Sequence, residues 1–183
     1  MKGIQKLRSK LFKSALKKEL QYKRFTRKSL SLQEAQSVGI LFDATNPEMR
    51  QTVLNFARRL KNQDKKVRLL GYIHTSQKED NPSFPHFKKK EVDFSFRPKT
   101  ETAKEFISRN FDLLINLSPK NLPWLDYVAA LSPAKFRVGQ VSENTAAYDL
   151  MIETKQPGNL EHFIRQMEYF LNKMATHYEP VPA

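Results

Sequence analysis

Apolar positions between residues 38 and 174 alternate between two rhythms. Val38, Gly39, Ile40, Leu41 and Phe42 form a short run with the length of a buried strand. Thr45, Asn46, Pro47 and Glu48 then read as a helix start: Thr45 or Asn46 caps, Pro47 fits the first turn and Glu48 can close a capping box with Thr45. Met49, Val53, Phe56, Ala57 and Leu60 follow on one helical face. The unit repeats, predicting strands at 67–73, 92–96, 112–117, 136–141 and 148–153 and helices at 102–110 and 122–131. Leu160, Phe163, Ile164, Met167, Phe170, Leu171 and Met174 predict a core-facing helix over 160–174, capped by Asn159 after Pro157 and Gly158. Strands alternating with helices imply right-handed crossovers. The expected class is therefore α/β: a three-layer, Rossmann-like sandwich with a mostly parallel sheet of five or six strands. Residues 76–91 are polar, contain Pro82 and Pro85 and end in Lys88, Lys89 and Lys90, so they read as an exposed loop that lacks a crossover helix.

The first thirty residues follow a different pattern. Ile4, Leu7, Leu11, Ala15 and Leu16 recur at helical spacing, with no proline before Pro47 and no glycine after Gly3 until the first strand, which predicts a helix over residues 3–24. Its apolar stripe is narrow and its basic face wide. Lys2, Lys6, Lys10, Lys13, Lys17, Lys18, Lys23 and Lys28, with Arg8, Arg24 and Arg27, stand against one acid, Glu19. Residues 31–183 carry 21 bases and 18 acids, so most of the formal charge of +13 sits on this arm. We therefore expect two parts: a basic helical arm over 1–30 and an α/β domain over 31–183.

Such an arm suits four roles. It can be a solvated tail, a transit peptide, a helix on an anionic membrane surface, or an arm that displaces counterions from nucleic-acid phosphates. Its Lys-rich composition argues against a transit peptide, and its lack of Trp and of bulky apolar surface argues against the membrane. Phe12, Tyr22 and Phe25 are candidates for stacking on exposed bases. A second basic patch, Lys88, Lys89 and Lys90 beside Phe84 and Phe87, joins the same footprint if it lies on the same side.

Composition removes several chemistries. The absence of cysteine excludes disulfides, thiolate zinc sites and cysteine nucleophiles, and no apolar run approaches the roughly 20 residues of a membrane span. Five glycines, none within six residues of another, exclude a dinucleotide fingerprint and a phosphate loop. His74, His86, His162 and His177 show no paired ligand spacing, so no metal and no cofactor is expected. In an open parallel sheet, ligands bind beyond the carboxyl ends of the strands. That edge should hold Asp43, Thr45 and Asn46, then His74 and Thr75, then Asn116, Ser118 and Lys120, and Ser142 and Glu143. The same residue types cap helices and fix turns in most such folds.

Two resemblances rest on the runs FDLLINLS (111–118) and AALSPAKFRVG (129–139). The whole chain resembles a family of small, uncharacterised bacterial proteins with a basic N-terminus, which implies the fold and no activity. The block alone is similar to the acceptor-side half of heptosyltransferase-type glycosyltransferases, where a strand leads through a helix into a second strand. Those enzymes bind their nucleotide sugar on a second Rossmann-like domain, for which no room follows Val141. The sequence therefore leads us to expect a cytoplasmic, non-enzymatic protein that binds RNA through its arm as a ribosome-associated or ribosome-assembly component, with ribosomal RNA and ribosomal proteins as partners. A small-ligand or glycosyltransferase-like site at the sheet edge and peripheral membrane attachment are the alternatives.

Overall fold

The computed structural model describes residues 2–74, 82–154, 156 and 158–176. Thr75, residues 76–81 of the predicted loop, Pro157, His177 and the side chain of Lys2 lie outside the described residues. In chain order the elements are α1 (Lys2–Leu20), β1 (Ser37–Asp43), α2 (Pro47–Lys61), β2 (Lys66–Ile73), β3 (His86–Lys88), α3 (Glu101–Ser108), β4 (Leu113–Asn116), α4 (Pro123–Leu131), β5 (Phe136–Gln140), β6 (Leu150–Ile152) and α5 (Leu160–Thr176). The six strands form one sheet in the order β3-β2-β1-β4-β5-β6, with every neighbouring pair parallel. This is the doubly wound order, and its direction reverses between β1 and β4.

Strand alternation sends side chains into two core layers. Val38, Ile40 and Phe42 pack with Val53 and Phe56 of α2 and Phe163 and Met167 of α5. Leu41, Leu70 and Leu114 pack on the opposite face with Ala103 and Phe106 of α3 and Val128 of α4. Close packing also requires glycine within three strands: a Cβ would stand 2.9 Å from Leu114 and Phe111 at Gly39, 2.7 Å from the Phe84 ring at Gly71 and 2.6 Å from Tyr148 at Gly139. Asn46 caps α2 by accepting from the backbone N–H groups of Glu48 and Met49.

The third strand differs from expectation. Residues 92–96 form no strand; Val92 makes one antiparallel bridge with Pro98, and the Asp93 carboxylate folds the segment into a turn by accepting from the N–H groups of Ser95 and Arg97. Pairing with β2 is instead made by His86–Lys88, inside the stretch read as an exposed loop. A three-residue strand has no periodicity to detect, and it forms because Phe87 buries fully against Tyr72, with ring centroids 5.6 Å apart.

The N-terminal segment is part of both core layers. Phe12 and Leu16 of α1 are buried in the layer with α3 and α4, where Phe12 meets Phe96 edge-on at 6.1 Å and Tyr127 at 6.5 Å. Residues 21–36 then pass under the amino-terminal edge of the sheet: Lys28 N–H donates to the Lys135 carbonyl, and Leu30, Leu32 and Ala35 enter the layer with α2 and α5. Ser31 and Glu34 close a reciprocal cap in this strap, with Ser31 N–H donating to Glu34 Oε2 at 2.8 Å and Glu34 N–H donating to Ser31 Oγ at 3.2 Å. Among the described residues no helix is long and apolar enough to cross a membrane.

Candidate nucleic-acid interface

Once Phe12 and Leu16 fix the seam of α1, the helical repeat decides what the rest of it presents. Lys6, Lys10, Lys13 and Lys17 fall within about 60° of one another around the axis. All four are exposed and have no ion-pair partner among the described residues. Lys18 is exposed on another side, and Lys23, Arg24 and Lys28 are exposed along the strap. Like charges three and four residues apart repel along such a face, and a polyanion relieves that repulsion.

Two arginines of the arm act as pins. The Arg8 guanidinium lies 4.0 Å from the centroid of the Phe96 ring, and its Nε donates to the Phe94 carbonyl at 2.9 Å. Arg27 is half-buried, stacks on Phe25 and donates to the carbonyls of Ser132, at 3.1 Å, and of Ala134. Burial, with Arg137 nearby, pulls the Arg27 guanidinium down to about 10. Its Nη1 donates to the carbonyls that follow α4, anchoring the strap.

The aromatic residues expected to stack on bases behave differently from one another. Phe12, Phe84 and Phe87 are buried, so none of the three presents a free ring; Phe12 and Phe87 fill the core layer that holds α1 and Phe84 the layer on the other face of the sheet. Tyr22 stays 80% exposed. A third apolar sector on α1, formed by Ile4, Leu7 and Leu11, also faces outward. Lys89 and Lys90 are exposed and Lys88 is partly buried. The turn that follows them carries Phe94 and Phe96, which hold Arg8. Arg8 projects about 140–180° around the axis from Lys6, Lys10, Lys13 and Lys17, so this patch meets a different flank of α1 from the lysine row.

The sheet-edge residues are spent on local structure. Asp43 Oδ1 accepts from Thr45 N–H, Thr45 Oγ1 accepts from His74 N–H, and Asn46 is the α2 cap. Asn116 is buried, donating to Tyr148 OH at 2.6 Å and accepting from Ser118 N–H at 3.0 Å. Ser118 Oγ donates to the Lys120 carbonyl. The polar centre at this edge is instead Asp126, 4% exposed, whose two oxygens accept from Ser142 Oγ and Tyr148 OH at 2.6 Å each. Burial raises the Asp126 carboxyl, with the two hydroxyl donors pulling partly against it, and burial beside Asp126 pushes the Tyr148 phenol well above its usual range. A cavity of about 350 Å³ over Asp126 is roofed by Gln5, Ser9 and Lys13 of α1. By sequence, Asp126, like Asp93, Asp112 and Asp149, lies beside a strand or helix segment and reads as a solvated edge or turn; the fold buries it instead.

No curated protein and no solved structure matches the chain. A family model described as "Family of unknown function (DUF6913)" matches residues 8–174, a span running from the pinned Arg8 to the last turns of α5, and the chain belongs to that family.

Proposed function

We propose that the protein is a non-enzymatic RNA-binding protein, a ribosome-associated or ribosome-assembly component that grips the sugar–phosphate backbone through the cationic sector of α1. The observation that carries this reading is the exposed row Lys6, Lys10, Lys13 and Lys17 on a helix that Phe12 and Leu16 anchor in the core. Lys89 and Lys90, exposed just before the turn that holds Arg8, add a second basic patch against another flank of α1. Phosphate contacts of this kind supply affinity and orientation without base preference. Ribosomal RNA and ribosomal proteins are the partners this reading names. We read the block at 111–139 as strand–helix–strand geometry alone, with no catalysis attached to it.

The arm supplies Phe12, Leu16 and Leu30 to the core, so deleting it tests folding as well as binding. Substituting Lys6, Lys10, Lys13 and Lys17 by Gln removes only exposed charge. The quadruple variant is expected to lose most of its affinity for a labelled structured RNA and to leave the ribosomal fraction in low-salt sedimentation, with its thermal unfolding unchanged. Affinity equal to that of the unmodified protein overturns the reading.

The outward-facing Ile4, Leu7 and Leu11 beside this row favour a second reading, attachment to an anionic membrane surface. Flotation with vesicles of anionic lipid separates the two: RNA binding survives Leu7→Ser with Leu11→Ser, whereas vesicle binding does not.

A further inference from the structure

The amino-terminal edge of a parallel sheet is ordinarily the quiet end of the fold, since ligands gather at the opposite edge. Here it carries two clefts that share Asn110 and Phe111 as their common wall, one of about 520 Å³ and one of about 350 Å³. Lys61, Lys66, Arg68 and Arg109 line the larger cleft and Arg24 and Lys135 the smaller, and all six are exposed. These cations come from the end of α2, the start of β2, the cap of α3, the strap and the residue before β5.

Among the described residues no carboxylate lines the larger cleft and one, Asp112, lines the smaller, where its charge is already answered. Its Oδ1 accepts from Lys135 Nζ at 2.8 Å, and its Oδ2 accepts from the N–H groups of Gln36 and Ser37 and from Ser37 Oγ. Lys61, Lys66, Arg68 and Arg109 have no ion-pair partner among the described residues. Lys61 and Arg109 sit at helix carboxyl ends, where a cation complements the helix dipole. Lys66 and Arg68 have no such reason. They share the face of β2 with the buried Leu70 and Tyr72, and they project where the eight-residue α3 has ended.

The chemistry of the lining selects the partner. The large exposed apolar residues all lie outside both clefts, and the apolar side chains that do line them, Phe25, Val67, Phe111 and Pro133, are partly or fully buried, so the exposed chemistry there is cationic. A phosphate backbone matches such a lining. Arg24 joins the smaller cleft to the strap and, through it, to the basic end of α1 at Lys17 and Lys18.

We propose that the amino-terminal edge of the sheet, centred on Lys66 and Arg68, is a second RNA-backbone groove continuous with the arm. It rests on the RNA-binding reading given above. The test uses the full chain, a fluorescein-labelled mixed-sequence RNA hairpin, and anisotropy over a salt series. Lys66→Gln with Arg68→Gln is expected to weaken binding by about tenfold and to flatten the log–log salt slope by about 1.4–1.8, the value for two lost phosphate contacts. The swap Lys66→Arg with Arg68→Lys is expected to keep both, which separates charge from packing. Unchanged affinity and slope in the Gln pair, while the four-lysine variant of α1 loses binding, overturns the groove and leaves the arm. Loss in the Gln pair alone keeps the groove and removes the arm, and an unmodified protein that ignores the RNA removes both.

Discussion

At the scale of single residues, the carboxylates that matter structurally each tie a strand end to a neighbouring segment. Arg137 is buried and holds Asp149 with two parallel bonds, Nε to Oδ2 at 3.0 Å and Nη2 to Oδ1 at 2.9 Å, while its Nη1 donates to the Ala146 carbonyl at 2.7 Å. Asp112 performs the same service at the amino-terminal edge, joining β1 to the start of β5. Its bonds from Lys135, Ser37 and Gln36 outweigh desolvation and hold the carboxyl at about 2, below its ordinary 3.8. A carboxyl depressed in the fold stabilises above the unfolded value, and that contribution disappears as pH falls through the folded value. Asp112→Asn should therefore cost about 1–2 kcal/mol at neutral pH, a loss of charge-assisted hydrogen bonds. The difference should shrink between pH 3.8 and about 2, where the native side chain also becomes neutral. Urea unfolding of both proteins across that window checks this, and a difference constant with pH counts against the assignment.

At the scale of elements, α1 depends on one side of its surface. Phe12→Ala removes a buried ring that meets Phe96 and Tyr127 and should lower the unfolding free energy by about 3–4 kcal/mol. Leu7→Ala, at a site 53% exposed, should change it by less than about 0.5 kcal/mol, and chemical denaturation compares the two directly. The leucine spacing announced the helix but not its seam, because Ile4, Leu7 and Leu11 form as good a stripe as Phe12 and Leu16 do. Only the shape of the groove between α4 and residues 92–98 chooses between them. Elements with long apolar patterns, such as β1, α2 and α5, were readable from periodicity alone. β3 was not, since its three residues owe their pairing to the single buried Phe87 and to the edge that β2 leaves free. The amino-terminal groove was hidden for a related reason: its cations are scattered through a domain that looks nearly neutral, and the topology alone gathers them.

At the scale of the whole molecule, charge and connectivity act together. The arm holds eleven bases and one acid; α1 enters the core on one face of the sheet through Phe12 and Leu16, and the strap enters it on the other through Leu30 and Leu32. The cations therefore approach a partner on a rigid body, with little chain entropy left to lose on binding, unlike a disordered tail that orders on contact. Affinity should come mainly from counterion release. With about six to ten phosphates contacted on single-stranded RNA, the logarithm of the binding constant should fall with the logarithm of salt concentration at a slope of about −4 to −7. Residues 1–30 contain no histidine, so the slope should change little between about pH 6 and pH 8. Filter binding over a salt series at those two pH values measures both quantities. A slope near zero would mean that contact is made through apolar or base-specific groups, and a slope that steepens strongly toward pH 6 would move the interface off the lysines and arginines of the arm.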